Sequence, residues 1–195
     1  MITPAELKRD AVEEIINEYI VKKSLTFSLK TINLNEDIKK QITNIIVRYD
    51  EGPNYGSVEV ELTGKGKGMA AALFNALKEK YGEQYRSVNS ILFEGVRVKT
   101  FMEKGSENSE IEFEIDFRNG RKEVVTFRAR SRSIAVAAAL TVMRSFEFYI
   151  NSELAFHRMR DLLADAKKRG RSDISSRLIS DLSKIVEFNC YDPRR

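Results

Sequence analysis

The chain has 195 residues, of which 33 are lysine or arginine and 29 are aspartate or glutamate, and its formal net charge is +4. This length suits one large domain, or one domain with helical appendages, and a hydrophobic content of 42% supports a packed core. The single cysteine, Cys190, excludes a disulfide framework within the chain and a multi-cysteine zinc site. The single histidine, His157, excludes multi-histidine metal sites and proton relays. We therefore predict no metal site, no cofactor and no catalytic residue.

From the apolar segments of the sequence we expect neither a membrane span nor an export signal. No apolar run reaches the roughly 18 to 20 residues that a membrane-spanning helix needs. Residues 1–10 contain no apolar signal core. We therefore expect a cytoplasmic protein with no membrane partner.

The first segment has the pattern of an amphipathic helix. Thr3-Pro4-Ala5-Glu6 has the form of a capping box, with proline at the first helical position, where its missing N–H costs nothing. Apolar residues then follow helical spacing to about Lys22. Because this helix has one apolar stripe, we expect it to pack against another part of the protein.

Strand and helix patterns then occur twice in the same order. Alternating apolar residues indicate strands, and apolar residues at helical spacing indicate the helices that follow them. The predicted strands cover residues 25–34, 42–50, 57–62, 91–101, 110–117 and 124–130, and the predicted helices cover residues 68–81 and 133–151. The predicted fold is α+β, with two βββα units forming antiparallel-rich sheets packed on helices, and with extra N- and C-terminal helices.

A hairpin and a helical appendage complete the organisation. Arg118-Asn119-Gly120-Arg121 resembles a two-residue hairpin turn, because Asn-Gly tolerates the positive φ of a type I′ turn. After residue 151 the helical pattern continues to a basic break, and a last helix begins near Ser172. We therefore predict an N-terminal helix over 1–24, a repeat domain over 25–151 and a C-terminal helical appendage over 152–195.

The two strand-to-helix junctions share one residue pattern, 65 residues apart. Gly64-Lys-Gly-Lys-Gly-Met-Ala and Ala129-Arg-Ser-Arg-Ser-Ile-Ala both have the order small, basic, small, basic, small, apolar, alanine. Small residues let the backbone approach a ligand, and the following helix N-terminus offers unpaired N–H groups and a partial positive charge. The pattern suits a carboxylate or phosphate ligand, and equally a tight turn with solvated lysines. The candidate ligand-binding residues are Gly64, Lys65, Gly66, Lys67, Gly68, Arg130, Ser131, Arg132 and Ser133.

Alternating arginines favour an alternative function. Arg128, Arg130 and Arg132 would share one face of a strand, either as a solvated edge or as a surface for an acidic partner. Together with the basic segment 167–171, they indicate a module that binds nucleic acid or an acidic protein. The modest net charge ranks this alternative second.

Other chemically interesting residues favour structural roles. Glu110, Glu112 and Glu114 alternate with apolar residues, so we expect them on the solvent face of a strand. His157 and Cys190 have no neighbouring residues of the kind that a metal site or a nucleophile needs. We expect both to be incidental or packing residues.

The predicted helix over 133–151 carries apolar residues around almost its whole circumference. Such a helix must be buried on most sides, and one sheet covers a single face. The other faces need either the terminal helices or a second subunit. We favour the second subunit and predict a homodimer.

This order of strands and junctions resembles the C-terminal regulatory domain, which is the allosteric and dimerisation domain, of 2-isopropylmalate synthases and citramalate synthases. The similar stretch covers residues 25–151. In that family a Gly-x-Gly-Pro-hydrophobic-Asp-Ala segment opens the first helix, and Gly64-Lys-Gly-Lys-Gly-Met-Ala is similar to it. The strand that carries Asn119-Gly120-Arg121 before the second helix is also similar.

The resemblance implies a non-catalytic regulatory domain of leucine biosynthesis, with an amino-acid effector at a dimer interface. It implies no synthase activity, because one histidine cannot supply the metal ligands of the family's catalytic barrel. The family has Gly-x-Gly and an acidic or amide residue before its second helix, whereas this chain has Phe127-Arg-Ala-Arg-Ser-Arg-Ser. We therefore expect the effector, an amino acid or another small anion, to be lost or changed.

Overall fold

The computed structural model describes residues 4–20, 23–53, 56–101, 109–120 and 122–189. The elements in chain order are α1 (Pro4–Ile20), β1 (Thr26–Asp37), β2 (Ile42–Gly52), β3 (Val58–Gly66), α2 (Met69–Tyr81), α3 (Arg86–Asn89), β4 (Leu92–Phe101), β5 (Glu110–Arg118), β6 (Val124–Ser131), α4 (Ile134–Lys168) and α5 (Ser172–Asn189). The first sheet has the order β1-β2-β3 and the second β4-β5-β6, both antiparallel. The predicted α+β fold, with two βββα units and extra terminal helices, is confirmed.

The strands form because apolar side chains alternate along them. In β2, Ile45, Val47 and Tyr49 are buried while the residues between them are exposed. In β5, Ile115 and Phe117 are buried on the inner face. Side chains from both sheets and from α2 and α4 belong to one hydrophobic core, so the two units fold around shared apolar contacts.

Strand β3 extends beyond its predicted end at residue 62 and includes two glycines of the first junction. Both Gly64 and Gly66 pair with β2. A Cβ atom on Gly64 would overlap the carbonyl oxygen of Ala72 and lie 2.8 Å from the Cβ of Ala76. A Cβ atom on Gly66 would lie 2.5 Å from the backbone nitrogen of Ala72. The missing side chains therefore let α2 pack directly on the strand.

The hairpin between β5 and β6 is longer than the predicted two-residue turn. Asn119 donates its backbone N–H to the carbonyl oxygen of Glu123 at 2.9 Å, so three residues lie between the paired ends. The positive φ, 68°, belongs to Lys122. The two-residue prediction is wrong because the Asn119 side chain also accepts a hydrogen bond from the Glu123 N–H at 3.0 Å. This contact favours the three-residue loop, which places a left-handed residue at its end.

Helix α4 is one continuous helix of 35 residues and passes unbroken through the predicted boundary at residue 151. The second sheet, α2 and both terminal helices contact it, and most apolar residues of its first half are buried within this chain, although Ile134 is 51% exposed. This chain therefore covers most of the surface that a second subunit was expected to cover. Among the described residues α4 alone is long and apolar enough to span a membrane, but 61% of the stretch that meets this criterion is buried in the fold. It is packed as the core helix of a globular protein.

The terminal helices α1 and α5 pack against α4 and against each other. Ile16 on α1 and Leu178 on α5 are buried members of the common core. The predicted start of the last helix at Ser172 is confirmed. The predicted capping residue Thr3 and the predicted helix end at Lys22 lie outside the described residues.

Substitution of Gly64 by alanine tests the close packing of α2 on β3. The added Cβ meets backbone that cannot move without displacing α2, so we expect Gly64→Ala to lower the free energy of unfolding by about 1–3 kcal/mol. The matched control is Gly95→Ala in β4, where a Cβ would lie 3.6 Å from its nearest neighbour. That variant should lose less than about 0.5 kcal/mol. Urea unfolding measures the stability of both variants. Equal unfolding midpoints for Gly64→Ala and Gly95→Ala would contradict the packing role of Gly64.

Candidate functional site

The two strand-to-helix junctions meet at one cleft, which we call the junction cleft. Met69 and Ala70 at the start of α2 line it together with Ile134 and Ala135 at the start of α4, their equivalents 65 residues later. Its volume of about 360 Å³ lies in the range of small-molecule sites. The edge strands β1 and β4 contribute further walls. The lining residues are Leu34, Glu36, Lys67, Gly68, Met69, Ala70, Ala71, Phe93, Val96, Phe113, Ile134, Ala135 and Ala138.

The junction cleft combines an apolar surface with opposite charges. Leu34 and Phe93 are among its aliphatic and aromatic lining residues. Lys67 and Glu36 are the charged members of the described lining, and Glu36 accepts a hydrogen bond from the hydroxyl of Thr43 at 3.1 Å. An ammonium and a carboxylate beside an apolar surface match a small molecule with one polar end and one aliphatic end.

Residues of the first junction are divided between two surfaces. Lys67 and Gly68 line the junction cleft, whereas Gly64 and Lys65 line a separate groove of about 470 Å³ formed by β2, β3 and α2. Gly68 has a φ of 89°, and its carbonyl oxygen accepts a hydrogen bond of α2 at 3.0 Å. Helix packing accounts for Gly64 and Gly66, so Lys67 and Gly68 are the members of this set that the fold brings to the cleft.

The candidate residues of the second junction do not line the junction cleft. Arg130 Nε donates to Glu112 Oε2 at 2.7 Å. The side chain of Ser133 caps the N-terminus of α4, and the Ser131 hydroxyl accepts a hydrogen bond from the backbone N–H of Ser133 at 3.2 Å. Arg132 is exposed. These residues shape the junction, and the two residues that follow them reach the cleft.

The outer face of the second sheet carries a network of ion pairs. Glu112 and Glu114 are only 3% and 5% exposed, so the prediction that they face solvent is wrong, although Glu110 is exposed. Lys99 Nζ lies 2.6 Å from Glu114 Oε1, and Arg97 Nε lies 2.9 Å from Glu114 Oε2. Burial raises the pKa of Glu114, but hydrogen bonds from Lys99 and Arg97 outweigh it and hold the pKa below its usual range. The long cationic side chains cover the carboxylates because their stems pack on the sheet.

This network bears on the alternative nucleic-acid function. Arg130 is held by the buried carboxylate of Glu112, and its guanidinium lies 4.5 Å from the ring centroid of Phe101. A phosphate would have to compete with Glu112 for this arginine. The face therefore offers a nucleic-acid backbone a mixed surface of both charges.

A second cavity, which we call the polar cavity, lies between α1, α4, β6 and the start of β1. Its volume is about 400 Å³. Charged side chains from α1 and α4 line it together with aromatic and aliphatic residues. The lining residues are Arg9, Glu13, Ile16, Asn17, Ser24, Leu25, Thr26, Phe127, Arg128, Arg144, Glu147, Phe148 and Asn151.

Glu147 is the titratable group of the polar cavity with the largest perturbation. It accepts a hydrogen bond from the backbone N–H of Phe27, which ties α4 to β1. Burial raises the pKa of Glu147 to about 7, against smaller lowering effects of that hydrogen bond and of Arg144. Burial also raises the pKa of Glu13, although Arg9 lowers it. Glu147 therefore changes its charge close to neutral pH.

Apart from Arg128, the residues of the polar cavity do not belong to any site predicted from the sequence. On an amphipathic helix, charged residues such as Arg9 and Glu13 have the spacing of a solvated face. A signal is nevertheless present in α4, where Arg144 and Glu147 interrupt the apolar first half of the helix. Charged residues in a helix buried on most sides are expected to be paired or functional.

The described residues contain no group of three or more His, Cys, Asp or Glu side chains that could hold a metal ion. His157 Nε2 lies 3.9 Å from Glu153 Oε1. Glu153 in turn accepts hydrogen bonds from the backbone N–H groups of Arg86 and Ser87, at 3.3 and 2.8 Å. These contacts fix the short helix α3 on α4. Cys190 lies outside the described residues.

Comparisons with known proteins assign no family to this chain. No protein-family model matches it, and no curated protein gives a significant match. The resemblance to the synthase regulatory domain is therefore carried by the junction residues and the repeat alone.

The raised pKa of Glu147 predicts a pH dependence of stability. Between the ordinary carboxyl pKa of 4.5 and the value of about 7 in the folded protein, the native state binds more protons than the unfolded chain. The free energy of unfolding therefore falls as the pH rises through this window, by at most about 1.4 kcal/mol per pH unit from this group. Glu147→Gln keeps an acceptor for Phe27 and loses the charge, so its stability should fall less steeply.

Urea unfolding at a series of pH values measures this difference. Glu14→Gln, at an exposed position of α1, is the matched control and should retain the wild-type slope. A slope in Glu147→Gln equal to that of the wild type would show that Glu147 does not titrate in this window.

Proposed function

We propose that this chain is a non-catalytic regulatory and dimerisation module that binds a small aliphatic amino or keto acid in the junction cleft. In this role it would resemble the allosteric domain of 2-isopropylmalate synthases. The proposed setting is the cytoplasm and the control of branched-chain amino acid biosynthesis. No cofactor and no catalytic residue belongs to this proposal.

The observation that carries the proposal is that both halves of the repeat contribute equivalent residues to one open space. Met69 and Ile134 are equivalent, as are Ala70 and Ala135, and all four line the junction cleft. Side chains normally fill the space between packed elements to a high density. Here small residues at both helix starts leave a cavity of ligand size.

The lining of the junction cleft supports the proposed ligand class. An aliphatic side chain would contact Leu34, Phe93 and Phe113, and its removal from water would supply most of the affinity. The ligand's carboxylate would pair with Lys67 beside the N-terminus of α2, where the helix dipole favours an anion. Glu36 would accept the ammonium group of an amino acid, a contact that a keto acid cannot make.

A changed effector follows from the second junction. In the synthase family the glycines before the second helix border the effector site, and this chain has Arg130-Ser131-Arg132-Ser133 in that region. These residues are outside the lining of the junction cleft. The proposed polar contacts therefore come from the first unit, and the second unit supplies apolar surface through Ile134.

Dimerisation is proposed from the apolar rim of the junction cleft. Leu34, Val96 and Ile134 line the cleft and are between 43% and 51% exposed. Val98 follows Val96 on the same face of β4 and is similarly exposed. A cluster of exposed aliphatic side chains is typical of a protein interface, and a second copy of the chain would cover it. This rim replaces the buried helix α4 as the reason to expect a homodimer.

Leucine, isoleucine, valine or their 2-keto acids should raise the thermal unfolding midpoint, because a ligand that binds only the native state stabilises it. Lys67→Ala should weaken binding about tenfold through the loss of a charge-assisted hydrogen bond. Lys65→Ala is the matched control, a lysine of the same junction that lines the separate groove, and should bind normally. Isothermal titration calorimetry measures the affinities. A flat response to all these compounds, or equal losses in both variants, would contradict the proposed function.

Sedimentation velocity at low and high protein concentration tests the dimer. The wild type should sediment as a dimer, and Val98→Lys should sediment as a monomer because the interface would bury an unpaired charge. Val124→Lys is the control, since both valines are 45% exposed strand residues and Val124 lies outside the cleft rim. A wild type that stays monomeric at high concentration would rule out the dimer.

A further inference from the structure

The polar cavity has no part in the proposed function, although charged side chains from α1 and α4 line it. We propose that it is a second binding site, which takes a small oxyanion, a carboxylate or a phosphate group, on Arg9 and Arg144. A bound anion would link the N-terminal helix to the core helix α4.

Arginines and glutamates are paired on the walls of the polar cavity. Helix α1 contributes Arg9 and Glu13, α4 contributes Arg144 and Glu147, and β6 contributes the backbone carbonyl oxygen of Arg128. Arg9 Nε lies 3.5 Å from Glu13 Oε1, so the charges of these two groups largely cancel. When Glu147 is protonated, the charge of Arg144 is left in excess, and a small anion would neutralise it.

The two arginines named in the proposal have hydrogen-bonding capacity for a ligand. Arg9 donates to the carbonyl oxygen of Thr126 at 2.6 Å and to Asp10 Oδ1 at 2.9 Å. These two contacts use one N–H of each terminal nitrogen, and each terminal nitrogen carries a second N–H. Arg144 donates from Nη1 to the carbonyl oxygen of Arg128 at 3.1 Å, a contact that uses one of its five N–H groups.

Rigid contacts hold these walls in position. The guanidinium of Arg9 lies 5.5 Å from the ring centroid of Phe127, and its hydrogen bond to Thr126 fixes the same group on β6. Asn151 accepts from the backbone N–H of Leu25 at 2.7 Å and donates to the Leu25 carbonyl oxygen at 2.8 Å. A site whose donors are held before the ligand arrives loses little conformational entropy on binding.

Glu147 makes the proposed site sensitive to pH. The charged groups that face it are Arg144 and Glu13, and Arg9 is the further charged side chain of the lining on α1. Both arginines keep their charge at all physiological pH values. Protonation of Glu147 removes a negative charge from the cavity and adds an O–H donor, so anion affinity should rise as the pH falls through about 7.

Titration calorimetry of the intact chain with sulfate, inorganic phosphate and malonate, at constant ionic strength, tests the proposal. Tighter binding of phosphate would indicate a phosphorylated ligand, and tighter binding of malonate would indicate a carboxylate. We expect Arg144→Gln to lower the affinity about tenfold or more. Arg158→Gln is the matched control, an exposed arginine of the same helix outside the cavity lining, and should bind like the wild type.

Sulfate provides the pH experiment because its charge is constant around neutrality. Its affinity for the wild type should fall as the pH rises, whereas its affinity for Glu147→Gln should stay constant. General salt effects act on every variant alike. A loss of anion affinity in Arg144→Gln that is absent in Arg158→Gln therefore identifies a specific site.

Absence of saturable binding for all three anions would overturn the proposal, as would equal affinities in Arg144→Gln and Arg158→Gln. Lys67→Ala, which alters the junction cleft, should bind these anions like the wild type. The failure of one site therefore leaves the other open to a separate test.

Discussion

The fold depends on the burial of the first half of helix α4. Apolar residues face every side of it, and Val142, Phe146 and Ile150 are fully or almost fully buried. One sheet cannot cover a helix all round, so the second sheet, α2, β1 and the terminal helices share the task. Each βββα unit is incomplete without this helix. The junction cleft lies where the coverage ends, at the start of α4, and the polar cavity lies where Arg144 and Glu147 interrupt its apolar surface.

The type and order of the elements could be predicted because apolar side chains alternate in the strands and recur at helical spacing in the helices. The end of β3 could not be predicted, because Gly64 and Gly66 carry no side chains that would continue the alternation. The loop between β5 and β6 was also beyond local rules. Asn-Gly favours a two-residue turn, but the contact of Asn119 with Glu123 selects a longer one.

The candidate site could be predicted only in its general location. The shared pattern of the two junctions indicated a common place, and Met69 and Ile134 do line one cleft. The direction in which each strand ends decides which neighbouring residues reach the cleft. The composition of the junctions carries no information about this direction. The polar cavity could not be predicted from the sequence, because Arg9 and Glu147 are far apart in sequence and meet only through the packing of α1 on α4. Charged residues of this kind have the pattern of a solvated surface until the packing is known.

In the proposed function, the starts of α2 and α4 form one ligand site. Amide NMR of the isotope-labelled chain, titrated with leucine and with its 2-keto acid, tests this most directly. We expect saturable shifts at residues 67–71 and 134–138, in both halves of the repeat and at the same ligand concentration. Shifts in one half only, shifts confined to the polar cavity, or no shifts at all would contradict the claim.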